Sequence, residues 1–253
     1  MMFHYLKSNN HQIIFDPHCF NEISIDHFKS DYWHTQNKII ATRTGRGLAT
    51  VFRHQEREYV LKHYHRGGWV APIMQDNYLY SEFLRTRASR EFELLAHLYQ
   101  QDLPVPQPIA IHVERHGLYY HADLITRLIP NNQTLAIRLT QRPLSENEWH
   151  QIGATLFQFH QTGVYHADLN AHNILLDDHT KVWLIDFDKS YLRSAKLNWQ
   201  QANLDRLQRS LRKLSHQQLT FHWKENYWKT LLAGYQQPKN TSSISVSKRW
   251  VAP

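Results

Sequence analysis

The sequence predicts an α+β fold in two lobes, a small antiparallel-sheet lobe followed by a mainly helical one. A chain of 253 residues, 42% hydrophobic and 20% charged, can bury a proper core as one large domain or as two lobes. Strand patterns fill much of the first half, and helical patterns become common later. We expect an N-terminal lobe at residues 1–127, a hinge at 128–132, a C-terminal lobe at 133–237 and a flexible tail at 238–253.

The N-terminal lobe is predicted to be a set of strands around one helix. Residues 36–66 read as three short strands, with glycines in the first turn and a polar second turn. Residues 81–101 carry the apolar spacing of a helix. The prolines that follow force an extended path into a strand pair at 109–129, with its turn at His116 and Gly117.

The C-terminal lobe begins with a recognisable helix start. Ser145 and Glu148 have the spacing of a capping box, and Gly163 is expected to end the helix that they open. A loop, a short strand, a turn and a second strand are predicted over residues 164–189. Residues 203–214 then predict an amphipathic helix with leucines on its inner face.

The composition limits the possible functions. A formal charge of +7 and a pI near 9.4 favour an anionic partner, such as nucleic acid, a phosphorylated ligand or an acidic membrane face. No nucleic-acid-binding motif is recognisable, so we expect no nucleic-acid partner. With one cysteine and no helical pair of histidines at zinc spacing, a structural zinc is not expected. No signal peptide or long apolar run is visible, and we expect a cytosolic protein, soluble or peripheral to a membrane.

Three polar residues stand out in the stretch "VYHADLNAHNILLDDHTKVWLIDFDK". The alternating apolar runs between Asn173 and Asp186 predict a hairpin that returns Asp186 beside Asn173. Two oxygen ligands that converge on one point suit Mg²⁺. Asp168, at the start of the loop, could accept a proton from an attacking hydroxyl. This division of roles is typical of kinase-type phosphoryl transfer.

The tripeptide His-Ala-Asp also occurs earlier, at residues 121–123. No Asn follows that copy, and no second Asp follows at hairpin spacing. We therefore expect Asp123 to serve structure at most and Asp168 to serve chemistry. His166 is expected to be a structural hydrogen-bonding residue that shapes the loop. Asp188 could bind metal or cap its turn, and the second interpretation is preferred.

The segment "HADLNAHN" resembles the catalytic loop of protein kinases, and "IDFDK" resembles their Asp-Phe-Gly metal-binding segment. The order of parts along the chain agrees as well. The resemblance implies a protein-kinase-like fold with ATP and Mg²⁺ as cofactors. It implies that Asp168 orients the acceptor hydroxyl and that Asn173 and Asp186 hold the metal.

The same resemblance assigns roles around the nucleotide. Lys62 in "YVLKHY" would neutralise phosphates, and Glu91 would hold that lysine, with Glu82 and Glu93 as alternatives. The "TGRGLAT" turn, which contains Gly45 and Gly47, would cover the phosphates. Its third glycine is replaced by a threonine, and an ordinary hairpin turn is the alternative interpretation.

More narrowly, the chain resembles the 3-deoxy-D-manno-octulosonic acid (Kdo) kinases of bacterial lipopolysaccharide synthesis. The similar pieces are "GRG", "HYHRGG", "LPVPQPIA", "HADLNAHNILL", "IDFDK" and "NLDRLQRS", and they extend over residues 30–235. The resemblance implies ATP-dependent phosphorylation of the 4-hydroxyl of a Kdo sugar on a lipid A precursor. It also implies a peripheral protein on the cytoplasmic side of the inner membrane, with the anionic membrane surface as a partner.

The acceptor is expected to be a small molecule or lipid rather than a protein, because no Ala-Pro-Glu follows Asp186. Arg66, Arg206 and Arg209 are candidate ligands for the phosphates and carboxylate of such an acceptor, although a charged helix face is often only solvated. The alternatives are a heptose or aminoglycoside kinase of the same fold, or a pseudokinase that acts as a membrane-bound binding module.

Overall fold

The computed structural model describes residues 2–43, 49–64, 78–79 and 83–236. Its first part is built on one antiparallel sheet in the spatial order β1-β2-β7-β8-β5-β4-β3, with β6 paired to β8. The eight strands are β1 (His4–Ser8), β2 (His11–Phe15), β3 (Ile39–Arg43), β4 (Ala49–His54), β5 (Arg57–His63), β6 (Tyr78–Leu79), β7 (Pro108–His116) and β8 (Tyr119–Arg127).

The meander predicted from residues 36–66 is present as β3, β4 and β5. Gln55 and Glu56 form the second turn, and both have positive φ (47° and 59°). Two consecutive residues with positive φ fit a two-residue hairpin turn whose twist matches that of the strands. The predicted strand pair is also present as β7 and β8.

The N-terminal hairpin of β1 and β2 was not predicted. β2 pairs along its whole length with β7, with Ile13 opposite His112 and Ile14 opposite Ile111. The segment that follows contains a short helix, α1 (Ser30–Thr35), whose Trp33 ring stacks on that of Phe52 at 4.0 Å. These elements depend on partners distant in sequence, so local patterns gave little signal for them.

One face of the sheet is covered by a second helix, α2 (Arg87–Gln100), which buries Phe92, Leu95 and Leu98. The prediction of a continuous helix from residue 81 was wrong. A 3₁₀ turn occupies Phe83–Arg85, and the α-helix begins only after Thr86. The Thr86 hydroxyl accepts a hydrogen bond from the Ser89 N–H, which satisfies a first-turn donor and fixes the start.

The second part of the chain is mainly helical, as predicted. β9, β11 and β12 form one small sheet, and β10 pairs with β13. Its elements are β9 (Asn132–Thr134), α3 (Leu135–Gln141), α4 (Glu146–Gln161), β10 (Val164–Tyr165), β11 (Ile174–Asp177), β12 (Val182–Leu184), β13 (Tyr191–Leu192), α5 (Leu197–Gln217) and α6 (Glu225–Gln236).

The start of α4 is the predicted capping box. Ser145 Oγ accepts from the Glu148 N–H at 3.2 Å, and the Glu148 carboxylate accepts from the Ser145 N–H at 2.8 Å. The chain leaves the helix through Gly163 at a φ of +83°, where a Cβ would lie 2.3 Å from the Arg193 carbonyl oxygen. Both predicted ends of the helix are therefore confirmed.

Helices α4 and α6 approach each other closely through two glycines. A Cβ on Gly153 would lie 1.9 Å from the Leu231 carbonyl oxygen, and one on Gly234 would lie 2.1 Å from that of His150. Larger residues would force the backbones apart, so this contact requires glycine on both helices.

Residues 128–131 connect β8 to β9 and so join the sheet to the helical part. They coincide with the predicted hinge, and their role as a hinge stays a prediction. The predicted tail, residues 238–253, lies outside the described residues. Within the described ranges, no helix is both long and apolar enough to span a bilayer.

Candidate active site

The hairpin of β11 and β12 brings two of the predicted site residues together. Ile174 faces Leu184 in its register, and the Ile185 N–H donates to the Asn173 carbonyl at 3.1 Å. Asn173 and Asp186 therefore lie side by side just beyond the paired residues, as the spacing predicted. Asp186 has a φ of +62°, a strained conformation for a residue with a Cβ.

The loop before this hairpin is tied to it through Asp168. The Asp168 carbonyl accepts from Asn173 Nδ2 at 2.9 Å and from Asn170 Nδ2 at 3.0 Å. The side chains of Asp168, Asn173 and Asp186 line one cleft of about 1460 Å³ between the sheet and the helical part. The structure thus brings the three predicted residues to one site.

Lys62 reaches this site from the penultimate position of β5, whose two neighbours are β4 and β8. Its Nζ donates to Asp186 Oδ1 at 2.6 Å and to the two carboxylate oxygens of Glu91 at 3.0 and 3.1 Å. Glu91 on α2 is therefore the partner of the lysine. The alternative Glu93 does not take this position, and Glu82 lies outside the described residues.

The carboxylates control the charge of Lys62. Burial opposes the ammonium form, but Glu91 and Asp186 outweigh it and raise the pKa of Lys62. Burial would likewise raise the pKa of Asp186, but the Lys62 charge outweighs it and lowers that pKa. Tyr64 also donates its hydroxyl to Glu91 at 2.6 Å. These shifts favour the charged forms of both Lys62 and Asp186 at neutral pH.

His166 supports the loop from below. Its Nδ1 accepts from the Asp168 N–H at 3.3 Å, so the proton lies on Nε2, which donates to the Ile185 carbonyl at 3.0 Å. Burial lowers the pKa of His166, which keeps the ring neutral. The residue links the loop of Asp168 to the segment after β12 that carries Asp186, in agreement with the predicted structural role.

Asn203 on α5 holds the same loop and was missed from the sequence. Its Oδ1 accepts from the His166 N–H, and its Nδ2 donates to the His166 carbonyl, both at 3.1 Å. The side chain is only 1% exposed. A buried asparagine within the quoted "NLDRLQRS" segment was the available signal, because such an amide must find partners.

Asp188 corrects an expectation. Instead of capping its own turn, its carboxylate forms a two-point ion pair with the guanidinium of Arg87, the first residue of α2. Asp186 and Asp188 therefore connect the same segment to β5 and to α2. Because Arg87 is distant in sequence, the pairing could not be read locally.

The remaining predicted residues divide into two groups. Arg206 and Arg209 on α5 line the cleft together with Lys213, and their role in binding an acceptor stays a prediction. Gly45, Gly47 and Arg66 lie outside the described residues.

The chain combines an antiparallel sheet covered by helix α2, a mainly helical second part, and an Asp–Asn–Asp cleft that a paired lysine reaches. These features define the class of two-lobed, protein-kinase-like phosphotransferases. Residues 30–235 match a family model described as "Lipopolysaccharide kinase (Kdo/WaaP) family". The chain belongs to this family. It is therefore a kinase that transfers a phosphoryl group to an alcohol.

Similar proteins are named 3-deoxy-D-manno-octulosonic acid kinase. The protein from Vibrio parahaemolyticus is 40% identical over 220 residues, 87% of this chain and 91% of its own. The one from Mannheimia succiniciproducens is 42% identical over 216 residues, 83% of this chain and 89% of its own. A third, from Vibrio vulnificus, is 37% identical over 225 residues, which cover 89% and 94% of the two chains.

Proposed function

We propose that this kinase transfers the γ-phosphoryl group of ATP to the 4-hydroxyl of a Kdo residue on a lipid A precursor. The observation that carries the proposal is a cleft with two chemically different walls. Carboxylates and Lys62 line one wall, and cationic side chains of α5 line the other. The names of the similar proteins support Kdo as the sugar.

The first wall suits Mg²⁺ and nucleotide phosphates. Asn173 and Asp186 lie at the open end of the β11–β12 hairpin, opposite its turn. They offer amide and carboxylate oxygens, the ligands that Mg²⁺ prefers. When bound there, the ion supplies neutralising charge to the phosphates. Lys62, held by Glu91, is positioned to bind phosphate oxygens from the strand side.

Asp168 is proposed to orient the acceptor hydroxyl and to take its proton. Its backbone carbonyl accepts hydrogen bonds from Asn170 and Asn173. These bonds fix the position of the Asp168 backbone next to the proposed metal ligands. Its side chain lies in the cleft and is half-buried. A carboxylate fixed in this way can contribute through both positioning and proton transfer.

The second wall suits an acceptor that carries phosphates and a carboxylate. Arg206, Arg209 and Lys213 follow one another along the cleft side of α5. Guanidinium groups bind such oxyanions through two parallel hydrogen bonds. A neutral sugar alone would not require three cations, which favours an anionic glycolipid over the heptose and aminoglycoside alternatives.

We further propose that the enzyme works at the cytoplasmic face of the inner membrane as a peripheral protein. Residues 189–197 carry three basic residues and no acidic one. Among their exposed side chains, Leu197 is 84% exposed, and Tyr191 and Leu192 are almost half exposed. Basic residues among exposed apolar ones favour binding at an anionic lipid surface.

The test is an acceptor screen with ATP, Mg²⁺ and four acceptors: a Kdo–lipid A precursor, the same precursor without Kdo, a heptose-containing core and an aminoglycoside. We expect turnover only with the Kdo precursor and a product whose phosphate lies on the 4-hydroxyl by NMR. Turnover of another acceptor class, or phosphate at another position, would overturn the proposal.

The same assay tests the α5 wall. The double variant Arg206→Gln/Arg209→Gln should raise the KM for the acceptor roughly tenfold or more while the KM for ATP stays unchanged. The matched control is Arg212→Gln, whose side chain instead pairs with Glu225 on α6. Equal effects in the two variants would contradict an acceptor site on this wall.

A further inference from the structure

The distal end of the β7–β8 hairpin carries a second group of metal-ligand side chains, distant from the cleft. Glu114 and His116 are two positions apart on β7, so they point to the same face of the sheet. His121 on β8 is the register partner of Glu114. Strand alternation from β5 through β8 puts this group on the face opposite Lys62.

The three side chains are close enough to share one ion. One ligand atom from each lies within 4.8 Å of the others, and Glu114 Oε1 is 3.2 Å from His116 Nε2. In a tetrahedral zinc site with ligands at about 2.0–2.2 Å, two ligand atoms lie roughly 3.3–3.5 Å apart. Small rotations of the exposed His116 ring and the partly exposed His121 ring would therefore complete the arrangement.

Neighbouring residues hold the carboxylate in place. Glu114 Oε1 lies 3.5 Å from Asn10 Nδ2 and 3.7 Å from His11 Nε2. Behind His11, His112 lies at 3.1 Å and in turn contacts the buried Asp123 at 3.2 Å. Polar groups around a metal ligand orient it and tune the affinity of the site.

The ligand types indicate which ion would bind. Two imidazoles and one carboxylate suit a borderline-soft divalent ion such as Zn²⁺, whereas the amide and carboxylate oxygens of the cleft suit Mg²⁺. His116 has a side chain 45% exposed, which leaves the fourth position open to water. The two sites would thus select different metals.

We propose that Glu114, His116 and His121 form a binding site for a divalent transition-metal ion of the Zn²⁺ class, separate from the catalytic cleft. The ion would join the two strands of the hairpin and so stabilise the outer half of the sheet. The sequence pattern gave no zinc prediction because a helical spacing was sought, whereas here the ligands come from alternation on β7 and a cross-strand pair on β8.

The test is calorimetric titration of the metal-free full chain with ZnCl₂ at pH 7.5, followed by Co²⁺ absorption spectroscopy. We expect one ion bound per chain, a rise in Tm and a visible d–d band of a four- or five-coordinate site. In the double variant His116→Gln/His121→Gln, we expect at least roughly tenfold weaker Zn²⁺ binding and no such band, while the apo protein keeps its circular dichroism spectrum.

The matched control is His179→Gln/His216→Gln, which removes two exposed histidines elsewhere on the chain. It should bind Zn²⁺ like the wild type. The proposal is overturned if the wild type binds no stoichiometric Zn²⁺, if the His116/His121 variant binds it as tightly, or if the control loses binding to the same extent.

Discussion

The tripeptide His-Ala-Asp at residues 121–123 lies in strand β8, whereas the same tripeptide at 166–168 lies in the loop after β10. In the strand, the Asp123 carboxylate is buried between His63 Nδ1 at 2.5 Å and His112 Nδ1 at 3.2 Å. In the loop, the Asp168 side chain lines the cleft, and the Asp168 carbonyl accepts a hydrogen bond from Asn173 Nδ2. The same tripeptide thus has different surroundings, because the backbone places one copy inside a sheet and the other beside the cleft.

The electrostatics of the two aspartates differ accordingly. Burial would raise the pKa of Asp123, but its hydrogen bonds to His112 and His63 outweigh burial and lower that pKa. This carboxylate is committed to partners in the sheet. The role proposed for Asp168 requires instead a carboxylate in the cleft, and Asp168 lines the cleft.

The largest effect outside the tripeptides is expected at Asp186, the proposed metal ligand that lines the same cleft as Asp168. Asp186→Asn should lower kcat by roughly 10²-fold or more, because a charge that stabilises the reacting phosphates is removed. The neighbouring variant Asp188→Asn should lower kcat less, since that carboxylate is paired with Arg87. Turnover of Asp186→Asn close to wild type would break the assignment of the cleft.

The loop copy should depend strongly on its support from α5. Asn203→Ala leaves a buried N–H and a buried carbonyl of His166 unpaired, and should lower the free energy of unfolding by about 2–4 kcal/mol in urea denaturation. Because the loop carries Asp168, kcat should fall as well. The control is Gln201→Ala, which removes an exposed amide on the same helix. Equal losses in the two variants would contradict a specific role for the hydrogen bonds between Asn203 and His166.

The strand copy should affect stability and not catalysis. Asp123→Ala should lower the free energy of unfolding by about 1–3 kcal/mol, because two histidines lose their partner, while kcat stays unchanged. Asp178→Ala, an exposed aspartate in the β11–β12 turn, should shift stability by less than about 0.5 kcal/mol. A large loss of kcat in Asp123→Ala would erase the distinction between the two copies.

The smallest effect is the pH dependence of stability caused by the buried His160. This residue packs against α5, the helix that carries Asn203. Burial lowers the pKa of His160 to about 4. Below its unfolded value of about 6.5 only the unfolded chain is protonated, so stability is full above pH 6.5 and is lost as the pH falls towards 4. Because of this residue, the free energy of unfolding should fall by about 2 kcal/mol between pH 7 and pH 5.

Urea denaturation at the two pH values measures this loss. His160→Gln should show a weaker decline in stability between pH 7 and pH 5 than the wild type, whereas His179→Gln, an exposed histidine, should decline like the wild type. If His160→Gln declines as steeply as the wild type, His160 does not titrate as its burial requires.

The parts of the site that could be predicted are those set by local chain geometry. The return of Asp186 beside Asn173 follows from a short hairpin. The start of α4 follows from a capping box, and its end follows from Gly163. Alternation puts Lys62 on the same side of β5 as Val60, and both residues line the cleft. These features depend on a few neighbouring residues, so a sequence pattern carries them. The pairing of Lys62 with Glu91 rested on the resemblance to kinases.

The parts that were missed depend on contacts between distant residues. Arg87 with Asp188, Asn203 with His166, and β2 with β7 are each set by the packing of separate elements. No local periodicity encodes such pairs. The late start of α2 was missed for a related reason. The helical spacing begins at residue 81, before Thr86, whose hydroxyl caps the first turn of the helix.

The most direct test of the central claim is a parallel measurement of kcat and Tm for Asp168→Ala and Asp123→Ala, with ATP, Mg²⁺ and a Kdo-bearing lipid A precursor. We predict that Asp168→Ala lowers kcat by about 10²–10⁴ with little change in Tm, and that Asp123→Ala lowers Tm with kcat unchanged. Near-wild-type turnover by Asp168→Ala would contradict the account.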